Sequence, residues 1–143
     1  MLKTECNERR SRFEAESLPD GRTLVRLYED EEAVSRSAAS VADAVWNGYR
    51  YTTYETPIAL PAGALEAAPD TWAEIIKQAD RTQAAAEIRS ERDRLIAACD
   101  WTVLNDAKTN KQAWTVYRQS LRDVPEQPGF PYDVAWPTAP REL

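Results

Sequence analysis

Histidine is absent from this 143-residue chain. Its absence removes the commonest general base, the imidazole metal ligand, and both the Ser-His-Asp and Cys-His forms of nucleophilic catalysis. Glycine is scarce, with four residues at positions 21, 48, 63 and 129, so no loop has the spacing that cradles a phosphate or a dinucleotide. The two cysteines, Cys6 and Cys99, make neither a zinc site nor a disulfide framework. No stretch approaches the ~20 apolar residues of a membrane helix, and Met1–Arg12 carries no apolar signal segment. Cationic charge is in deficit: 18 Lys+Arg against 24 Asp+Glu leave a net −6, which does not suit a broad footprint on nucleic acid. The acidic run Glu29–Glu32 lacks the alternating ligands and the glycine of a calcium loop. The expectation is a soluble, non-enzymatic protein of a reducing cytoplasm, with no catalytic residue, no cofactor and no metal, binding neither nucleic acid nor membrane.

Three zones of composition are present. In residues 12–60, Pro19-Asp20-Gly21 is a turn between Arg12–Leu18 and the alternating run Arg22–Tyr28, the pattern of a β-hairpin. Glu29–Glu32 reads as a solvated strand end or a helix first turn, with a docking patch for a basic partner as the functional alternative. In residues 33–45, Val34, Ala38, Val41, Ala42 and Val45 fit one helix face, and the Ser/Ala content fits a loop nearly as well. Asn47-Gly48 is a turn signal, after which Tyr49–Tyr54 is aromatic and β-branched, the composition of a strand. Alternation sets Tyr49 and Tyr51 on one face and Tyr54 on the other.

From Pro61 the period becomes helical. Asp70-Thr71 is a candidate N-cap before Trp72, Ile75, Ile76 and Ala79, and Asp80–Thr82 is a candidate break or join. Ile88, Arg92, Leu95, Ile96 and Cys99 form the next stripe, with Cys99 expected to be a buried, inert thiol. Cys6, in a charged stretch, is expected to fray. Thr109-Asn110-Lys111-Gln112 has the form of a capping box ahead of Ala113, Trp114, Tyr117 and Leu121. Two helices joined by the connector 101–108 are expected to pack as a helical hairpin. Prolines 125, 128, 131, 137 and 140 then exclude both helix and central strand. Phe130, Tyr132, Val134 and Trp136 are too apolar for a free linker. Trp101, Trp114 and Trp136 either meet in the hairpin core or, with Tyr117 and Phe130, form an anchor surface for a protein partner. Tyr49, Tyr51 and Tyr54 either complete a small sheet's core or offer a second recognition surface.

The ordered series Arg92-Asp93-Arg94-Leu95, Asp100-Trp101-Thr102, Asn110-Lys111-Gln112-Ala113-Trp114, Tyr117-Arg118, Gln127-Pro128-Gly129-Phe130-Pro131 and Trp136-Pro137 resembles the phage tail assembly chaperone family, the small tail fibre assembly proteins of phages and prophages. The resemblance covers about residues 87–138. It implies a non-enzymatic tail or tail fibre assembly protein that binds a fibre or other tail protein in the host cytoplasm. The alternative is a structural component retained in the virion at the tail, baseplate or fibre junction. The whole is expected to be α+β: a small β-rich N-terminal module (residues 1–62), then helices, a C-terminal helical hairpin and a proline-rich extended tail (residues 63–143).

Overall fold

The structure is a computed structural model and describes residues 2–37 and 45–141. Within it the chain forms two compact units, Met1–Asp80 and Arg81–Leu143.

Four antiparallel strands, β1 (Leu2–Cys6), β2 (Phe13–Ser17), β3 (Thr23–Ser37) and β4 (Val45–Ile58), build the first unit in the order β1-β4-β3-β2. The turn at Pro19–Gly21 closes the β2–β3 hairpin. Gly21 adopts φ 81, a left-handed angle that only glycine takes without steric cost. The register sets Phe13 opposite Leu27 and Ala15 opposite Val25, so one face of the sheet is apolar. Three short or long helices follow: α1 (Ala64–Ala67), α2 (Pro69–Ala98) and α3 (Lys111–Arg122), which makes the fold α+β. Ala73 and Ile76 from α2 pack on Val25 and Leu27, with Phe13, Tyr54, Ile58, Leu60 and Leu65 around them. Asp80, one turn further on, accepts the Glu55 N–H at 3.2 Å and ties the helix to β4.

Several sequence expectations are corrected here. The charged N-terminal stretch does not fray: residues 2–6 pair with residues 49–53 of β4, and the Cys6 Sγ–H donates to the Glu8 carbonyl at 3.1 Å. Asn47-Gly48 is not a turn but lies within β4, opposite Val34 and Ser35. Glu29–Glu32 is neither a strand end nor a helix start. β3 runs through it with a bulge between Glu29 and Glu32, where Asp30 takes φ 54. Of the ambiguous segment 33–45, residues 33–37 and 45 are strand, and the rest lies outside the described residues. α2 starts at Pro69, a residue suited to the first helical position because it has no N–H to leave unpaired, and it continues through Asp80–Thr82 without a break. Its buried face in the first unit is Ala73, Ile76 and Asp80, while Ile75 is exposed.

Candidate protein-binding site

In the second unit α2 ends at Ala98, and a 3-10 turn (Asp100–Val103) leads through the connector to α3. Cys99 is buried with Trp114, Tyr117 and Leu121, and Leu95 and Ile96 pack beside them. The Arg118 guanidinium organises the junction: it donates to the Ile96 carbonyl at 3.2 Å and pairs with Asp100 at 2.7 Å. A cation here also answers the partial negative charge at the end of α2. Thr102 is fully buried and donates to the Cys99 carbonyl at 2.6 Å, so its hydroxyl carries no uncompensated burial cost.

The start of α3 differs by one residue from the expected capping box. Asn110, not Thr109, is the N-cap, its side chain accepting the Ala113 N–H at 3.1 Å. Thr109 instead donates to the Thr102 carbonyl at 2.8 Å and holds the connector. Beyond α3, a second 3-10 turn (Val124–Glu126) precedes the proline-rich stretch. Gln127 grips that stretch with both ends of its amide, donating to the Ala135 carbonyl at 2.9 Å and accepting the Ala135 N–H at 2.7 Å. Between these contacts the backbone doubles back so tightly that a Cβ on Gly129 would collide with the Asp133 carbonyl.

The aromatic candidates separate. Trp101, Trp114 and Tyr117 come together: the two indoles are 6.3 Å apart at 54°, and Trp114 meets Tyr117 edge-on at 5.7 Å. Trp114 and Tyr117 are each only 8% exposed, whereas Trp101 is 46% exposed. Burial, with Cys99 beside it, raises the Tyr117 phenol above its ordinary range. Phe130 is half-buried under the Arg89 guanidinium, which sits 5.1 Å from the ring centre. Trp136 is exposed and belongs to neither ring pair among the described residues. The expectation of a three-tryptophan core is therefore corrected: Trp114 alone of the three is buried, with Cys99, Tyr117 and Leu121, while Trp101 touches it from an exposed position and Trp136 is exposed.

The three tyrosines of β4 lie in the first unit. Tyr54 faces α2, with Lys77 over its ring at 5.8 Å. Tyr51 is buried on the opposite face, where it meets Tyr28 edge-on at 5.6 Å. Its hydroxyl accepts the Arg10 N–H and donates to Glu31. Tyr49 is half-buried beneath Arg9. The acidic run is also engaged internally: Glu29 holds Lys77 and Arg12, Glu31 holds Arg9, and Glu32 holds Arg50. Three of the four carboxylates of the run are thus paired within the chain.

Trp101 and Trp114 form one wall of a groove of about 730 Å³, completed by Lys108, Thr109, Asn110, Ala113, Pro140 and Arg141. Val103 and Leu104, continuing from the same 3-10 turn, are both exposed. Sequence reasoning named the tryptophans but missed Lys108 and Arg141. Neither sits in a pattern that marks it, and only the return of the chain brings position 141 beside position 101. Among the described residues, no helix is long and apolar enough to cross a membrane.

Residues 85–141 match the family model of the phage tail assembly chaperone protein, the family that the sequence resembles over about the same stretch. The match supports a role in phage tail assembly and spans the aromatic cluster, the groove and the Gln127 clamp. No curated protein and no solved structure matches the chain.

Proposed function

We propose that this protein assists phage tail assembly by binding a fibre or other tail protein through the Trp101–Trp114 surface of its C-terminal unit, without catalysis. The observation that carries the reading is the coincidence of the family match, residues 85–141, with an exposed indole beside a tryptophan-lined groove. Aromatic side chains in a half-open pocket are the usual anchors of protein interfaces. An assembly factor must cover apolar or strand-edge surface until subunits join, a task that requires no cofactor, nucleic acid or membrane.

The test is co-expression with the tail or fibre gene next to it, affinity capture, and mass spectrometry of purified virions. Capture of the tail protein together with absence from finished virions is expected. Near-stoichiometric recovery in virions would replace the chaperone reading with that of a structural component at the tail, baseplate or fibre junction.

A further inference from the structure

We propose that the groove between Trp101 and Arg141 receives an extended acidic peptide segment of the tail protein, seating one aromatic or aliphatic side chain against the indoles and its flanking carboxylates on Lys108 and Arg141. The origin of the segment rests on the tail-assembly reading; the chemistry of the groove does not.

Charge carries the argument. The chain as a whole is at −6, yet the described residues that line this groove include two cations and no carboxylate. Neither Lys108 nor Arg141 has an ion-pair partner among the described residues. That contrasts with the arginines of the first unit, where Arg9, Arg12, Arg26 and Arg50 each hold a glutamate. Asp100, next to Trp101, is already occupied by Arg118. A third cation, Lys111, follows the groove residue Asn110 in the chain and donates to the Leu104 carbonyl at 2.6 Å. α3 also begins here, so the positive end of its dipole adds to the field. A cationic rim around an apolar floor selects a ligand with the complementary arrangement: carboxylates flanking an apolar side chain. On a molecule that is otherwise acidic, an acidic ligand is repelled elsewhere and is held at this groove.

The size fits the occupant. A cleft of about 730 Å³ is of the order that encloses a few side chains rather than a folded domain. Trp101 is exposed enough to be covered further, while Trp114 forms the fixed wall.

The experiment uses the full chain and three end-blocked peptides, Asp-Glu-Phe-Glu-Asp, Asn-Gln-Phe-Gln-Asn and Lys-Lys-Phe-Lys-Lys. NMR shifts of the Trp101 and Trp114 indole N–H groups are followed through each titration. The acidic peptide is expected to shift both signals saturably, with weaker binding of the neutral peptide and none of the basic one. Replacing Lys108→Ser and Arg141→Ser together should weaken the acidic peptide by about five- to tenfold, two exposed ion pairs' worth, and raised salt should erode the difference. Both positions are exposed, so the double variant is expected to keep its fold, and its unchanged circular dichroism checks that. Equal binding of acidic and neutral peptides, equal binding by the double variant, or no indole shift at all would overturn the proposal.

A second arm separates this proposal from the tail-assembly reading. A phage lacking the chain is complemented with wild type or with the double variant. Full tail yield from the double variant sinks the groove proposal and leaves tail assembly standing. Normal tails in the deletion itself sink tail assembly, while the peptide titration still decides the chemistry of the groove.

Discussion

The two units are held together by different means. In Met1–Asp80 the fixed points are pairings between distant residues: β1 with β4, β3 with β4, and the carboxylate of Asp80 with the Glu55 N–H. In Arg81–Leu143 they are individual side chains with one geometry each: the Trp101–Trp114–Tyr117 cluster, the Arg118 junction, the Gln127 clamp and the tight approach at Gly129. A sheet accepts many β-branched and aromatic residues at a given position, because the backbone ladder does most of the pairing. A two-handed glutamine clamp or a glycine under a carbonyl accepts almost no replacement. The contrast gives a physical reason why a recognisable series of residues lies in the second unit and not in the first.

The contrast can be broken or sharpened by mutation. The largest expected effect is Trp114→Ala, about 3–5 kcal/mol by the usual cost of deleting a buried aromatic. It is read by urea unfolding of a fragment spanning residues 81–143, whose wild-type form should lose its helical circular dichroism cooperatively. A fragment without that cooperative signal would mean that the second unit is not a closed set of contacts. Leu27→Ala, at a fully buried position in the sheet core, should cost about 2–5 kcal/mol in the full chain. Its effect should be matched only by other members of that core, such as Ile76→Ala, and not by changes on the opposite face of the sheet.

Gly129→Ala comes next, at about 1–3 kcal/mol, the typical cost of forcing an extra carbon into occupied space. Limited proteolysis of this variant should cut between residues 127 and 135 faster than in wild type, and an unchanged cleavage rate would show that the turn relaxes freely. Asn110→Ala removes a helix cap and should cost about 1 kcal/mol, whereas Thr109→Ala leaves the cap in place. Comparing the two by thermal unfolding tests which residue satisfies the first turn of α3.

The smallest effect is common to both units. Burial raises the phenols of Tyr28 and Tyr51 in the first unit and Tyr117 in the second, and Glu14 and Glu31 add to the rise at Tyr28 and Tyr51. The neutral form is therefore favoured in the folded state. The contribution is complete below the ordinary tyrosine value of about 10 and is lost as pH rises through the higher folded values. Spectroscopic titration of tyrosinate should show these groups ionising late and together with unfolding. Ionisation at the ordinary value with the fold intact would show that the phenols are not held.

Local chemistry made part of this fold legible. Pro19-Asp20-Gly21 could only turn, Tyr49–Tyr54 had the composition of a strand, and the stripe ending in Cys99 had helical spacing. Asn47-Gly48 misled because a turn dipeptide states what the backbone can do, while the register with Val34 and Ser35 decided what it does. Ser35 reinforces the pairing with a hydrogen bond of 2.6 Å to the Asn47 side chain. Glu29–Glu32 misled in the same way. An acidic run is costly in a strand until Lys77, Arg9 and Arg50 arrive from distant positions to face it. At the candidate site the tryptophans were visible as anchors. Their division into a buried wall and an exposed edge was not, since spacing along a chain says nothing of what lies across a groove.

What the sequence determined by itself was therefore the chemistry available: no histidine, few glycines, an acidic balance, and a series of aromatic, proline and glycine residues whose shapes allow few arrangements. Tertiary structure alone decided which charges are spent and which remain free. Whether a carboxylate or a cation is neutralised depends on neighbours some tens of residues away, and those neighbours are set by strand register and by the return of the chain past α3. Glu29, Glu31 and Glu32 thereby became internal partners, while Lys108 and Arg141, unremarkable as letters, came to stand at the edge of a tryptophan-lined groove.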